Sequence, residues 1–154
     1  MIYRKDLNYI GFDSSDELIK ICKKQNLNVF EANILNIPII NNYFDDTICI
    51  AVIHHLKIFD ERLLAFQELI RVTKKGGRIF ITLLQTFKNS KKMTRKTIID
   101  LPTKNDFLVP WGNYFYRYYH LFDENEILSI KNLISVTKFD YTIKQSNWNI
   151  EIIV

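Results

Sequence analysis

From Tyr9 onward, apolar residues fall alternately into continuous runs of strand length and into stripes at helical spacing. The run YIGFD at 9–13 predicts a short buried strand ending on an acid, and SSDELIKICKKQ follows at once. There Leu18, Ile21 and Cys22 line one helical face while Lys20, Lys23 and Lys24 lie elsewhere. Ser14 and Glu17 have the S-x-x-E spacing of a capping box. NVFEANI at 28–34 predicts a second strand, and the stretch through Pro38 to Asn42 a connection. DTICIAVI at 46–53 is a continuous apolar run, the pattern of a parallel strand covered on both faces. DERLLAFQELIRVTKKGG predicts a helix with Leu63, Phe66, Leu69, Ile70 and Thr73 on or near one stripe. Lys74 and Lys75 suit its last turn and Gly76 its C-cap. RIFITLL at 78–84 predicts the next strand.

Residues 87–105 break the pattern. Lys88, Lys91, Lys92, Arg95, Lys96 and Lys104 meet Asp100 as their one acid, which predicts a mobile basic loop with some helix. After RYYHLF, the stretch DENEILSIKNLI predicts a helix with Asp123 as N-cap and Glu126 three residues on. VTKFDYTI and NWNIEIIV predict two final strands, and no internal repeat is present. The succession of strand, helix and strand predicts an α/β wound sheet built from βαβ units.

The 154 residues suit a single domain. With 47% hydrophobic and 25% charged residues the composition is that of a soluble globular protein, and the net charge of +4 leans mildly towards polyanions. Cys22 and Cys49 have no CxxC or Cys/His ligand spacing, so they predict buried structural thiols and neither a zinc site nor a disulfide framework. No run approaches the roughly 18 apolar residues of a membrane span, and MIYRKDLNY lacks the apolar core of a secretion signal. The expected location is the cytoplasm, with the nucleus as the alternative.

In wound sheets, ligands bind at the carboxyl ends of the strands, where Asp13, Asn33, His54 and His55 gather. An acid there suits the two hydroxyls of a ribose, although Asp13 equally suits capping the helix that follows. Asn33 suits an adenine edge or, as readily, a turn. The chain has three histidines, two of them adjacent at a strand tip, where one would ordinarily be a satisfied core ring. The third, His120, closes VPWGNYFYRYYH, which by itself also reads as an aromatic layer with Arg117 pairing an acid.

IGFDSSDELIKICKKQ, EANILNIPIINNYFDD, IAVIHHL, FQELIRVTKKGGRIFI, LVPW, RYYHLF and SNW occur in the order seen in class I methyltransferases that use S-adenosylmethionine. More narrowly, from about residue 8 onward the chain resembles the tRNA wobble-uridine carboxymethyl methyltransferases, including the methyltransferase domain of AlkB-type fusions. The strand–acid–helix and KKGG segments are generic to the superfamily, whereas IAVIHH with VPW and RYYH is specific to the subgroup. The resemblance implies a Rossmann-like class I sheet and the formation of the methyl ester of 5-carboxymethyluridine at the tRNA wobble position.

Carried over by position, Asp13 is the ribose acid, Asn33 stands where the family has Asp beside adenine, and Ile34 offers a backbone N–H to that ring. Ala51 and His54 match positions near the methionine part of the cofactor. His55, Arg117, His120, Asn147 and Trp148 match the face that receives the base; Arg117 is expected to hold its carboxylate, with His55 and His120 donating hydrogen bonds. Trp111, Tyr118, Tyr119 and Trp148 are expected to stack on the base. The family's opening strand and its GxGxG loop are missing, since Gly11 is the only glycine before Gly76. An N-terminally incomplete domain over 1–154 is therefore expected, its absent strand central in the usual sheet. Expected partners are tRNA, reached partly through the basic loop, and a small zinc-binding activator subunit on the edge strand 28–34. A non-catalytic tRNA-binding or partner-binding remnant is the rival reading; a nicotinamide-dependent enzyme has no place for IAVIHH and RYYH.

Overall fold

The computed structural model describes residues 7–85, 99–100, 103, 105–112 and 115–154. The chain forms two compact units, Met1–Ile39 and Ile40–Val154. In the first, β1 (Gly11–Asp13), α1 (Asp16–Lys24) and β2 (Val29–Glu31) make a small βαβ unit with the strands paired in parallel. The helix begins one residue later than the S-x-x-E spacing implies. Ser15 is the N-cap, its hydroxyl accepting from the Leu18 N–H at 3.4 Å. Asp13 causes the shift, because its Oδ1 accepts from the Ser15 N–H at 2.9 Å and turns the chain at the end of β1. At the other end Asn26 (φ 57°) is left-handed, and the N–H groups of Asn26 and Leu27 return to the carbonyls of Lys23 and Cys22. Ile19 is the residue α1 buries; Leu18 and Ile21 are exposed, so the buried stripe is displaced from the expected one.

The second unit runs β3 (Phe44–Ile50), a 3-10 turn (Ile53–His55), α2 (Phe59–Val72), β4 (Thr73–Leu84), β5 (Ile99–Asp100), β6 (Asp106–Trp111), β7 (Phe115–His120), α3 (Glu124–Leu133), β8 (Lys138–Lys144) and β9 (Asn147–Ile153). Two sheets result, one in the order β3-β4-β9-β8 and one in the order β5-β6-β7. Among the described residues of this unit, only the β3–β4 strand pair, joined through α2, is parallel. Alternate residues of β4 and β9, Ile79, Ile81 and Leu83 with Trp148, Ile150 and Ile152, are buried, as are Phe66 and Leu69 of α2 and Ile127 and Ile130 of α3. Each such side chain contributes about 1.5–3 kcal/mol. Between β8 and β9 the turn places Gln145 and Ser146 at φ 53° and 61°, the twist a two-residue hairpin turn requires.

Several expected boundaries move. The run 46–53 is not a strand covered on both faces. β3 is the end strand of its sheet among the described residues, Cys49 is buried, and Ile48 on the opposite face is 66% exposed. Its last residues leave the sheet to form the 3-10 turn. Helix α2 ends at Val72, because Thr73 is extended and its hydroxyl donates to the Leu69 carbonyl at 2.7 Å. Lys74, Lys75 and Gly76 therefore belong to β4, and Gly76 is no helix cap. Gly77 is required by space, since a Cβ there would lie 2.4 Å from the Asp45 carbonyl oxygen. Of the basic loop, Lys88, Lys91, Lys92, Arg95, Lys96 and Lys104 lie outside the described residues, while Ile99 and Asp100 form β5. The Asp123 cap and the two final strands stand as expected.

Candidate functional site

In the second unit the site begins where β3 stops. Ala51 is left-handed (φ 59°), and its N–H donates to Thr82 at the carbonyl (3.3 Å) and the hydroxyl (3.1 Å). That bend turns the chain off the sheet into Ile53–His55, anchored by fully buried Ile53. His54 follows at 3% exposure with its Nδ1 unpartnered, and His55 is half-buried. Burial, reinforced by His55, Arg117 and His120, pushes the His54 pKa down to about 3, so the ring is neutral. Burial lowers the His55 pKa too; the Tyr118 carbonyl opposes this and Arg117 adds to it. His55 Nδ1 lies 2.9 Å from that carbonyl, which can only accept, so Nδ1 carries the proton. Its Nε2 is then a lone-pair acceptor, a correction to its expected role as donor.

The facing surface is a β-hairpin turning at Gly112 (φ 66°). Pairing sets Trp111 opposite Phe115, Val109 opposite Arg117 and Phe107 opposite Tyr119, so these six share one face. Tyr119 stacks on His54 (centroids 5.5 Å, 20°) and meets His55 edge-on at 4.6 Å. The Arg117 guanidinium lies over Trp111 at 5.1 Å and over Tyr119 at 6.0 Å. His54, His55, Tyr119, Arg117 and Trp111 thus form one continuous patch, with Trp111 57% exposed.

Alternation sends His120 and Tyr118 to the other face of the hairpin. His120 is buried, Nδ1 2.7 Å from Asp106 Oδ1 and Nε2 2.6 Å from Glu126 Oε2. Neither nitrogen is left for a substrate. Tyr118 donates to Asp106 Oδ1 at 2.5 Å, and burial and that carboxylate raise its hydroxyl pKa, so it is no stacking platform. Trp148 is buried in β9, its indole N–H donating to the Phe122 carbonyl at 2.9 Å; Asn147 begins that strand beside Leu84. A cleft of about 310 Å³ adjoins Trp148, Tyr141 and Gln85 and includes neither His55 nor Arg117. The expected base-receiving set therefore divides by burial and strand parity.

In the first unit Asp13 ends β1, Asn33 is exposed with Oδ1 accepting from the Leu35 N–H at 2.9 Å, and Ile34 is buried. Asn33 is a turn residue here, whatever else it binds. Cys22 is only partly buried and Cys49 is buried, with burial raising its thiol to about 12. Among the described residues no cluster of His, Cys, Asp and Glu could hold a metal ion, and no helix is long and apolar enough to cross a membrane.

Residues 2–81, just over half of the chain, match the family described as "Methyltransferase domain". The chain belongs to this methyltransferase family. Among curated proteins, this methyltransferase chain is 28% identical over 94% of its length to a Xenopus tropicalis tRNA (carboxymethyluridine(34)-5-O)-methyltransferase, of which it covers 32%. It is 43% identical over 49% of its length to the Arabidopsis thaliana enzyme of that name, covering 19% of it. The chain thus spans under a third of the length of these relatives. A Methanosarcina mazei S-adenosylmethionine-dependent methyltransferase superposes with a TM-score of 0.76 at 16% identity, over 93% of this chain and 80% of that one. That likeness establishes the Rossmann-like class I methyltransferase fold.

Two residues that build the site, Asp106 and Arg62, have no motif of their own, and a third, Glu126, was legible only as part of the α3 cap. Reading Gly112-Asn113-Tyr114 as a three-residue hairpin turn would have placed Asp106 opposite His120. Nothing local distinguishes Arg62 from its surface neighbours.

Proposed function

We propose that this chain is the methyl-transferring part of a tRNA methyltransferase that forms the methyl ester of 5-carboxymethyluridine at the wobble position from S-adenosylmethionine. One observation carries the reading: the Arg117 guanidinium lies over exposed Trp111 and near Tyr119, whose ring packs on the His54–His55 turn that follows β3. A guanidinium offers a planar fork matched to a carboxylate, and the two rings suit stacking on an unstacked base. The acid is already a nucleophile at neutral pH, so Arg117 would need only to hold and aim it, and the bound cofactor would supply the methyl group without any proton having to move. In-line positioning supplies several kcal/mol in such a step.

Bound S-adenosylmethionine would supply the electrophilic methyl group, and each unit by itself carries donors suited to part of it. Asp13 spends Oδ1 on Ser15 and has no partner on Oδ2 among the described residues, which suits ribose hydroxyls. Asn33 retains its amide N–H₂, and the Ile34 N–H adds a second donor for an adenine ring. Ala51 and His54 suit the amino-acid end, since the buried Nδ1 of His54 lacks a partner. Partners belong to the same proposal. tRNA is supported by the relatives' names and the basic stretch 87–105, and a small zinc-binding activator subunit by the single pairing of β2 among the described residues. Residues 1–154 are read as one methyltransferase domain acting in the cytoplasm.

The test is transfer of labelled methyl from S-adenosylmethionine to an anticodon stem-loop bearing 5-carboxymethyluridine, with calorimetry of cofactor binding alongside. Transfer that needs Arg117, and cofactor binding weakened at least about tenfold by Asp13→Ala (about 1.4 kcal/mol), are expected. Stem-loop binding with no cofactor binding would instead support a non-catalytic remnant.

A further inference from the structure

We propose that His120 is a positioning residue: an imidazolium bonded through both nitrogens that ties the β6–β7 hairpin to α2 and α3, and so sets where Arg117 and Tyr119 meet His54 and His55. Both ring nitrogens face carboxylate oxygens, Asp106 Oδ1 at 2.7 Å and Glu126 Oε2 at 2.6 Å. Ionised carboxylates only accept, so with Asp106 and Glu126 both charged both nitrogens donate. The charge balance agrees. Arg62 donates from Nε to Glu126 Oε1 at 2.7 Å and from Nη1 to the carbonyls of Leu56 (3.1 Å) and Lys57 (3.0 Å). Two cations, Arg62 and His120, then face two anions, Asp106 and Glu126, in a largely buried cluster. A neutral His120 would leave one negative charge over and point a lone pair at a carboxylate, and uncompensated buried charge is strongly destabilising. The two carboxylates bind opposite ends of the ring, so they cannot share a metal ion with it.

The connection to the site runs through single residues. Leu56 and Lys57, gripped by Arg62, directly follow the histidine turn. Tyr118, held through its hydroxyl by Asp106, offers its carbonyl to His55 Nδ1. Residues 118 and 120, fixed on one face of β7, thereby fix 117 and 119 on the other. Besides Arg62, Asp106 and Glu126, the titratable groups described around the cluster include Tyr118, Asp123, whose Oδ1 accepts from the Glu126 N–H at 3.0 Å, Lys57, whose ammonium lies 5.9 Å from the Tyr118 ring, and His54. The inference does not depend on which substrate the patch takes.

The test is nitrogen-15 NMR of the full 154-residue chain with labelled histidine. Expected for the parent at neutral pH are two protonated nitrogens on His120 and the Nδ1–H tautomer on His55. In His120→Gln, with far-UV circular dichroism unchanged, His55 should become mostly Nε2–H, a change that loss of stability alone does not produce. If that variant does not fold, Glu126→Gln serves: His120 Nε2 should lose its proton while Nδ1 keeps its own. A bare nitrogen on His120 in the folded parent, a His55 tautomer unmoved in folded His120→Gln, or full protonation retained in Glu126→Gln would overturn the proposal.

Discussion

His54→Phe should flatten the acid side of the stability curve. The ring is buried, stacked on Tyr119, and its Nδ1 has no partner. Burial holds its folded pKa near about 3, against an unfolded value of 6.5. The unfolded ring therefore takes up a proton well before the folded one. The neutral-ring contribution is fully present above the unfolded value and is lost as pH falls below it towards the folded one. From about pH 7.5 to about pH 5 the single group removes about 2 kcal/mol, at about 1.4 kcal/mol per pH unit once the unfolded ring is charged. His55 is shifted in the same direction but remains in the variant, so the difference between the two proteins isolates His54. Urea unfolding across that range measures it. The parent should lose about 2 kcal/mol more than His54→Phe on acidification. Equal losses in both would refute the claim that His54 is buried as a neutral ring.

Substitutions at three further positions test the frame around the site. Gly77→Ala should cost at least about 3 kcal/mol in thermal melts, since the new methyl meets the Asp45 carbonyl at 2.4 Å; an unchanged midpoint would contradict the β3–β4 register. Ala51→Gly should raise stability by about 0.5–1 kcal/mol by relieving a left-handed alanine (φ 59°), with Ala51→Val moving the other way. Arg62→Met should lose about 3–5 kcal/mol in urea unfolding by stranding Glu126 and two carbonyls; a loss below about 1 kcal/mol would mean the pair is not buried as described.

Much of the fold was legible because it rests on local chemistry. Asp123 with Glu126 three residues on is a cap wherever it occurs, and it caps α3. Apolar and polar residues alternate over 138–143 and 147–152, which pair within β8 and β9. What misled was pattern whose meaning depends on neighbours. The apolar β3 reads as a central strand, yet it has one partner among the described residues and exposes Ile48. Lys74, Lys75 and Gly76 have helix-end chemistry, but the Thr73 hydroxyl bond to Leu69 ends α2 first. The site divided for a similar reason. The sequence grouped the histidine pair with the RYYH segment, but only the hairpin register reveals that Arg117 and His120 face opposite ways. The partners of His120, Asp106 and Glu126, lie on other elements of the chain.

Recognition of an acid by the Arg117 patch is tested most directly by comparing two ligands that differ in one methyl group. An anticodon stem-loop carrying 5-carboxymethyluridine should bind about tenfold or more tightly than the same stem-loop carrying its methyl ester, as expected for a charge-assisted pair. Arg117→Gln should erase that difference while leaving the ester's affinity unchanged. Equal affinities in the parent, or a preference that survives in Arg117→Gln, would contradict the account.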